Sequence, residues 1–238
     1  ETDVLKMQYT MPHFMGYRFA LFNYATKETE GYVDFDYFKI EDKISDCRWA
    51  DVCYADDELE GHKLDIYLPD TGKSSHKVVV LIYGSAWFAN NMKQNAFQVF
   101  GRSLLDKGFA VVSINHRSSR DAKFPAQIND VKAAIRFIRA NAAKYKLDTS
   151  FIGITGFSSG GHLASLAGTT NGVKSYTIGD KTVDLEGNVG EYFSFSSRVD
   201  AVVDWFGPID MTRMENCNTT KGANSPEAAL IGGIPSDN

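Results

Sequence analysis

The segment that decides the fold is GITGFSSGGHLA, residues 153–164, in which Ser158 has a glycine two positions before it and another two positions after it. An apolar run precedes the serine, and the residues after it are typical of a helix. At a sharp strand-to-helix turn the tip residue is strained, and its neighbours two positions away come so close that a Cβ atom would clash. Gly156 and Gly160 remove that clash. Ser158 is therefore the candidate nucleophile.

The next residue, Ser159, is the weaker candidate, because Phe157 and Gly161 stand at the corresponding positions around it. Its main-chain N–H lies at a helix N-terminus, where the amide and the helix dipole can face a developing oxyanion. A glycine-rich turn with an incidental serine produces the same pentapeptide, so the elements around the motif have to decide between the two interpretations.

Strand and helix patterns alternate along the chain around this motif. Apolar or alternating runs predict strands, and periodic stretches predict helices. The strands are expected at residues 64–68, 77–83, 109–114, 151–155 and 201–206, and the helices at 95–107 and 126–145. Strands that alternate with helices form parallel sheets joined by right-handed crossovers. The sequence therefore predicts an α/β fold with a mostly parallel central sheet and helices on both faces.

A second motif, YGSAW at residues 83–87, directly follows a predicted buried strand. An acyl-transfer enzyme needs two or three preorganised N–H donors for the oxyanion, and a loop after an early strand supplies some of them in this kind of fold. Small residues allow the main chain of such a loop to approach a substrate. The loop therefore raises the nucleophile interpretation of Ser158 above chance.

LIYGSAW resembles the His-Gly-Gly-Gly-Trp loop of the hormone-sensitive-lipase-like esterases, with Tyr83 in place of histidine and Ser85 and Ala86 in place of glycines. Further blocks resemble the small carbohydrate-active esterases of that group, including feruloyl and acetyl xylan esterases. These blocks are KLDIYLP (63–69), VVSINHR (111–117), FPAQINDVKAAIRFIRANA (124–142), DWFGPID (204–210) and SPEAALIGG (225–233). The resemblance runs from about residue 60 to residue 238 and implies an α/β-hydrolase fold.

The resemblance also implies roles for individual residues. Ser158 would be the nucleophile, the oxyanion hole would use the main-chain N–H groups of Ser85, Ala86 and Ser159, and the substrate pocket would include Tyr83 and Trp87. Trp87 has an equally good alternative, which is to pack beneath the loop. The departures from glycine affect the expected shape of the substrate more than the expected activity, because the donors are main-chain groups.

The histidine of a catalytic triad is hard to find in this sequence. In this fold the order is Ser, then Asp or Glu, then His, but of the five histidines only His162 follows Ser158, and it lies on the same helix. His116, at a strand end, would be an unorthodox base. Asp210 is the alternative acid. Asp130 precedes the serine and is expected to pair with Arg117.

The sequence pattern also predicts that the C-terminal strands of the hydrolase fold are absent from this chain. A sheet ending at the strand of residues 201–206 would leave an apolar edge open, which natural proteins avoid. We therefore expect a separate or lost segment, with one strand-helix-strand unit, that carries the triad acid and histidine.

Three regions are expected along the chain. Residues 1–60 are interpreted as an N-terminal extension with edge strands, and residues 61–238 as the hydrolase domain. The glycine-containing stretch 171–198 is too long for a plain connection and is interpreted as a lid or binding loop over the pocket.

The favoured function is a serine carboxylesterase that acts on feruloyl or acetyl esters of plant polysaccharide through an acyl-enzyme on Ser158. The alternatives are a non-catalytic hydrolase-like binding module, which the missing histidine keeps open, and a prolyl-oligopeptidase-like serine peptidase, although no propeller precedes the domain. The expected partner is a small-molecule or oligosaccharide ester.

Composition limits the other partners. The net charge of −5, without a cluster of basic residues, argues against nucleic acid, and no apolar window reaches the length of a membrane span. Cys47, Cys53 and Cys217 match no zinc spacing, so neither a metal site nor a cofactor is expected. Cys47 and Cys53 are either bridged or free thiols. The first residue, Glu1, fits a mature secreted or periplasmic protein and a trimmed piece equally well.

Overall fold

The computed structural model describes residues 47–214 and 221–237. By internal contacts the chain divides into Glu1–Lys43 and Ile44–Asn238, and all of the described residues lie in the second unit. None of the helices in the described part has both the length and the apolar character that crossing a bilayer requires.

A six-stranded sheet forms the centre of the described unit. Its strands are β1 (Trp49–Cys53), β2 (Lys63–Tyr67), β3 (His76–Ile82), β4 (Ala110–Ile114), β5 (Leu147–Phe157) and β8 (Ala201–Trp205). Their spatial order is β1-β2-β4-β3-β5-β8, in which β3, β4, β5 and β8 are parallel and β1 and β2 are antiparallel to their neighbours. A separate antiparallel hairpin consists of β6 (Ser175–Ile178) and β7 (Lys181–Asp184).

Helices cover both faces of the sheet. One face carries a continuous helical run, made of α1 (Lys93–Ala96), a π-helical turn (Phe97–Gly101) and α2 (Arg102–Asp106). The opposite face carries α3 (Ala126–Ala140) and α4 (Ser159–Thr169). The C-terminal part contains the short helices α5 (Met211–Met214) and α6 (Pro226–Ile231).

The central strands are buried on both faces, as their continuous apolar runs predict. In β3 the side chains of Val78, Val80 and Ile82 belong to the core beneath α3 and α4. The alternate residues Val79 and Leu81 belong to the core beneath α1 and α2. The period of two therefore divides one strand between two cores. The α/β prediction is confirmed, and the main difference is that α3 ends at Ala140, before the predicted residue 145.

The two ends of the segment 171–198 are anchored away from Ser158. The segment leaves from the end of α4 and returns to the start of β8, both at the end of the sheet opposite Ser158. The Asn171 side chain bonds both main-chain groups of Val199, which closes this base. Arg139 also donates to Thr149 O and Arg198 O at this base. The interpretation of residues 171–198 as a lid or binding loop stays a prediction. We call residues 171–198 the strap.

The strap covers the polar face of α3. Lys132 and Arg136 on that face are 0% and 1% exposed, so they are core residues rather than a solvated stripe. Lys132 Nζ donates to Thr170 O and Val173 O at 3.1 and 3.0 Å, and Arg136 donates to Val189 O. Both cations pair with Glu186 of the strap. Buried charges need such partners, which explains why the strap follows α3.

The other side of the sheet, at β8, is much less covered. All five β8 residues are exposed, and Val203 and Trp205 keep 50% and 46% of their side-chain surface exposed. An apolar groove of about 300 Å³ runs beside them between the sheet and α2, lined among others by Phe100, Phe109 and Thr155. Trp205 and Phe100 both line this groove and stack on each other with ring centroids 5.6 Å apart.

The two described cysteines are free thiols, so the bridged alternative for Cys47 and Cys53 is wrong. Cys47 Sγ donates to Ile66 O, whereas Cys53 lies at the far end of β1 beside Asp57. The five residues of an extended strand separate the two sulfurs by more than a disulfide can span. Cys217 lies outside the described residues.

Candidate active site

Ser158 occupies the turn between β5 and α4. Its backbone has φ 55° and ψ −127°, a region that L-residues other than glycine rarely adopt. Its N–H donates to Trp205 O at 3.0 Å, and its C=O accepts from His162 N at 3.1 Å. The strained conformation is therefore held from both sides, which is the usual condition for such strain to persist.

Close main-chain packing explains the glycines of the motif. A Cβ atom on Gly160 would collide with the carbonyl oxygens of Ile82 and Tyr83, and one on Gly156 would lie 2.8 Å from Ile82 O. These obstacles belong to the central strand β3 and the residue after it, and a Cβ atom on Gly156 would also collide with Gly160 O in α4. All of them are main-chain atoms that cannot move aside. We call residues 156–160 the Ser158 corner.

The loop that follows β3, residues 83–89, packs directly against the Ser158 corner. A Cβ atom on Gly84 would lie 2.6 Å from Phe157 O and 2.8 Å from Ser158 Cβ, so only glycine fits there. Ala86 and Trp87 have φ values of 51° and 60°, so two successive residues of the loop that are not glycine have left-handed backbone conformations. We refer to residues 83–89 as the 83–89 loop.

The Ser85 N–H, predicted to be an oxyanion donor, is engaged elsewhere. It donates to Ser159 Oγ at 2.9 Å, and Ser159 is 1% exposed. The serine at position 159 supplies an acceptor that the glycine spacing of the motif does not reveal. The predicted donors that remain are the main-chain N–H groups of Ala86 and Ser159, the latter in the first turn of α4, where amides lack intrahelical acceptors.

Tyr83 and Trp87, predicted to belong to the substrate pocket, are both buried. Tyr83 is fully buried, its hydroxyl donates to Ala89 O at 3.1 Å, and its ring stacks on His116. Burial raises the pKa of Tyr83 well above its usual value. Trp87 is 1% exposed and meets the His162 ring edge-on at 5.4 Å, so it packs beneath the loop.

Within the described residues, no histidine is hydrogen-bonded to Ser158 Oγ. His116 is buried with Nδ1 2.8 Å from Arg117 O, and burial lowers its pKa. His162 packs against Trp87, and burial lowers its pKa to about 4. Both rings are therefore neutral and structural near pH 7.

Asp210, the alternative acid, serves the start of α5. Its carboxylate accepts hydrogen bonds from the Thr212 hydroxyl at 2.6 Å and the Thr212 N–H at 3.1 Å, which lower its pKa. The side chain is half exposed and lies 3.7 Å from Arg213. These contacts describe a helix cap rather than a triad acid.

Arg117 and Asp130 form the expected structural pair. Arg117 donates from Nη2 and Nε to the two carboxylate oxygens at 2.7 and 3.0 Å, and its N–H adds a third bond at 2.8 Å. His62 Nε2 lies 3.1 Å from the same carboxylate, while His62 Nδ1 lies 2.6 Å from Asp57. Burial disfavours the charged imidazolium, but the bonds to Asp130 and Asp57 outweigh it and raise the pKa of His62.

The turn after β8 is a part of the site that the sequence motifs did not single out. A Cβ atom on Gly161 would meet the Asp204 carboxylate, and one on Gly207 would collide with His162 N. The Gly207 N–H in turn donates to Asp204 at 2.7 Å. In the sequence this turn is visible only as the DWFGP block, with a glycine close to an aspartate at a strand end. The fold shows that the turn packs against the start of α4. Within the described ranges, no three metal-ligating side chains come together.

The chain was compared with known families and proteins. Residues 64–238 match the family described as BD-FAE, and residues 1–41 match the family described as the beta xylosidase C-terminal concanavalin A-like domain. Among curated proteins, esterase LipQ of Mycobacterium tuberculosis is 34% identical over 139 residues, which are 58% of this chain and 30% of that protein.

Two solved structures are similar over most of the chain. A bifunctional GH43-CE of Bacteroides eggerthii is 91% identical with a TM-score of 0.78, and the match covers 98% of this chain and 33% of that one. A truncated carbohydrate esterase from gut microbiota is 62% identical with a TM-score of 0.75, covering 78% of this chain and 65% of that one. The chain thus spans about a third of the length of the longer relatives. The predicted α/β-hydrolase esterase relationship is confirmed.

Proposed function

The chain belongs to the BD-FAE family, and on that premise we propose that it is the catalytic part of a serine carboxylesterase that removes acyl groups from plant polysaccharide. The acyl groups would be feruloyl or acetyl, and Ser158 would be the nucleophile. The observation that carries the proposal is the strained φ of 55° at Ser158, at a strand-helix turn that glycines make possible. Such strain is costly and concentrates at functional positions.

The chemistry has two steps. Ser158 Oγ attacks the ester carbonyl carbon while a base takes its proton, and the resulting oxyanion accepts hydrogen bonds from the N–H groups of Ala86 and Ser159. Collapse breaks the bond to the alcohol, which receives the proton from the base, and leaves the acyl group on Ser158. Water then attacks the acyl-enzyme through the same base and releases the acid.

The base and its acid partner are proposed to lie in a segment outside residues 1–238, present as part of a longer chain or as a separate one. Two observations support this. In the described residues Ser158 Oγ has no histidine partner, and β8 presents an open edge beside an apolar groove. A strand-helix-strand unit of about 30 residues would pair with β8, cover the groove and end beside Ser158.

Carbohydrate ester specificity is supported by what the relatives are. One is a GH43-CE fusion, another is a carbohydrate esterase, and the first 41 residues match a beta xylosidase domain. A xylan-type polysaccharide or its oligosaccharides is therefore the proposed alcohol component. The choice between feruloyl and acetyl groups is left to experiment.

The test uses the full-length protein and its Ser158→Ala variant, with the Ser196→Ala variant on the strap as a control. We expect turnover of p-nitrophenyl acetate that falls at least ~10³-fold in Ser158→Ala and is unchanged in the control. A serine-directed phosphonate should label Ser158. A label on Ser159, or full activity without the Ser158 hydroxyl, contradicts the proposal.

Substrate class is decided by comparing methyl ferulate, acetylated xylan and a peptide anilide. Release of ferulate or acetate supports the esterase, while cleavage of the anilide supports the peptidase alternative. A protein that binds xylan but turns over none of the three would be a binding module with a hydrolase fold.

A further inference from the structure

Ser159 contributes two groups to the Ser158 corner. Its main-chain N–H is a proposed oxyanion donor, and its buried hydroxyl oxygen accepts the Ser85 N–H at 2.9 Å. This bond joins residues 74 positions apart, so it ties the 83–89 loop directly to the first turn of α4.

The 83–89 loop needs such a tie because its backbone is strained. Ala86 and Trp87 both have left-handed φ values, and such strained conformations persist only where the surrounding structure holds them. The far side of the loop is held by Trp87 O, which accepts from Ser119 N at 2.7 Å, and by Ala89 O, which accepts from the Tyr83 hydroxyl. The near side, one residue before Ala86, is held by Ser159 Oγ.

We propose that the Ser159 hydroxyl is a positioning residue, which locks the 83–89 loop so that the Ala86 and Ser159 N–H groups are fixed relative to each other. The inference rests on the proposed function. A single side chain then couples the loop donor to the helix donor. The absence of a side chain at Gly84 allows the 83–89 loop to approach the Ser158 corner closely. The Ser159 hydroxyl then fixes the position of the loop by accepting the Ser85 N–H.

Loss of this lock should affect the transition state more than the bound substrate. An oxyanion hole acts on charge that develops during the reaction, so misplaced donors lower kcat while leaving ground-state binding nearly unchanged. The opposite interpretation is that Ser159 Oγ does not position the loop and only keeps the Ser85 N–H, a third potential oxyanion donor, from binding the oxyanion. Removing the hydroxyl would then release that donor and raise kcat, so the two interpretations differ in sign.

The experiment compares Ser159→Ala with Ser165→Ala in the full-length protein. Ser165 lies on the same helix and loses an equivalent hydrogen bond, but that bond runs to Asp204 at 2.7 Å instead of to the 83–89 loop. Ser159→Thr, which keeps the hydroxyl, is the conservative variant. The measurements are kcat and KM for p-nitrophenyl acetate, and hydrogen exchange of the Ser85 amide at single-residue resolution.

For Ser159→Ala we expect a kcat about tenfold lower, a KM within about twofold of wild type, and faster exchange at Ser85. Ser165→Ala should leave all three within about twofold, and Ser159→Thr should recover most of the kcat. An unchanged or increased kcat in Ser159→Ala, while Ser158→Ala is inactive, overturns the lock alone.

Failure of the proposed function has a different signature. If the wild-type protein does not hydrolyse esters, or if Ser158→Ala remains active, the function is wrong, whereas the exchange measurement still tests the bond. Unchanged exchange at Ser85 in Ser159→Ala shows that the hydroxyl does not hold the loop.

Discussion

The two flanks of the Ser158 corner are built in opposite ways. The α3 flank consists of the end of β4, α3 and the strap, and its buried charges Asp130, Lys132 and Arg136 all have partners of opposite charge. The β8 flank consists of β8 and the turn at residues 204–208, where Trp205 and Phe206 keep 46% and 62% of their surface exposed.

The difference shows what each flank does for the serine. The buried charges of the α3 flank are neutralised by ion pairs within the flank, so a substitution that removes one partner leaves the other without a replacement. The β8 flank supports the corner through main-chain contacts, such as Ser158 N to Trp205 O, while its outer face is exposed in the described part of the chain. We therefore expect mutations at equal distance from Ser158 to differ in effect according to which flank they touch.

The largest contrast is expected between Gly160→Ala and Gly161→Ala. The new methyl group at 160 meets main-chain carbonyls of the central sheet, which should destabilise the fold by about 3 kcal/mol or more and abolish ester hydrolysis. At 161 it meets the Asp204 side chain and the exposed turn at Gly207, which can shift, so the cost should be about 1 to 2 kcal/mol. Urea unfolding of both variants measures the difference.

The comparison of the flanks fails if Gly161→Ala is the more damaging change. Ala164→Gly serves as a control for a change within α4 that adds no methyl group. Because it lowers helix propensity and also removes a fully buried methyl group, it should cost about 1 to 2 kcal/mol.

A second contrast pairs Glu186→Ala with Val203→Ala. Removing Glu186 leaves the buried cations Lys132 and Arg136 without their carboxylate, which should cost about 3 kcal/mol. Val203 is half exposed on β8, so its truncation should cost about 0.5 kcal/mol. Thermal unfolding at constant pH and salt measures both.

Equal effects of these two substitutions would show that the β8 flank is buried in solution by something that the described residues do not include. If the proposed further segment is present, Val203→Ala should become more costly in the protein that carries it than in residues 1–238 alone. That result would show that substitutions on the two flanks have similar stability costs only in the longer protein, where the further segment covers β8.

The last contrast concerns pH and two histidines whose pKa values are shifted in opposite directions, His162 beside the β8 turn and His62 beside Asp130 of α3. Burial lowers the pKa of His162, beside the β8 turn, to about 4, so the unfolded chain binds more protons than the folded one between about pH 6.5 and 4. Its contribution to stability is complete above pH 6.5 and is lost on acidification, by up to about 2 to 3 kcal/mol.

His62 behaves in the opposite sense. Its raised pKa stabilises the fold fully below about pH 6.5, and this contribution disappears as the pH rises through the folded pKa. We expect His162→Leu to flatten the acid side of the stability curve and His62→Gln to flatten the neutral-to-alkaline side. Chemical unfolding between pH 4 and 9 measures both curves, and an unchanged acid limb in His162→Leu contradicts a neutral buried His162.

The strands of the central sheet were predictable because burial on both faces leaves a continuous apolar run, as at residues 77–83 and 109–114. The turn at Ser158 was predictable because glycines at 156 and 160 record main-chain contacts that no other residue allows. The nucleophile role of Ser158 itself stays a prediction.

Side-chain direction is harder to predict from sequence than main-chain geometry. Tyr83 and Trp87 have the composition of pocket walls, but aromatic rings beside a buried strand end pack inward when the interior offers partners, here His116 and His162. The length of the strap indicates an excursion from the sheet without saying against which element the strap packs. The pairing of Lys132 and Arg136 with Glu186 decides that position, and the partners are 50 or more residues apart.

By itself the sequence determined the α/β architecture, the esterase family and the position of one serine at a strand-helix turn, because these depend on local periodicity and on glycines that permit local geometry. The tertiary structure alone decided which polar groups meet: the Ser85 N–H with Ser159 Oγ, Asp210 with its own helix, and α3's cations with the strap. The physical reason is that hydrogen bonds and ion pairs form between residues distant along the chain, whose mutual orientation is set only once the sheet and its helices are packed.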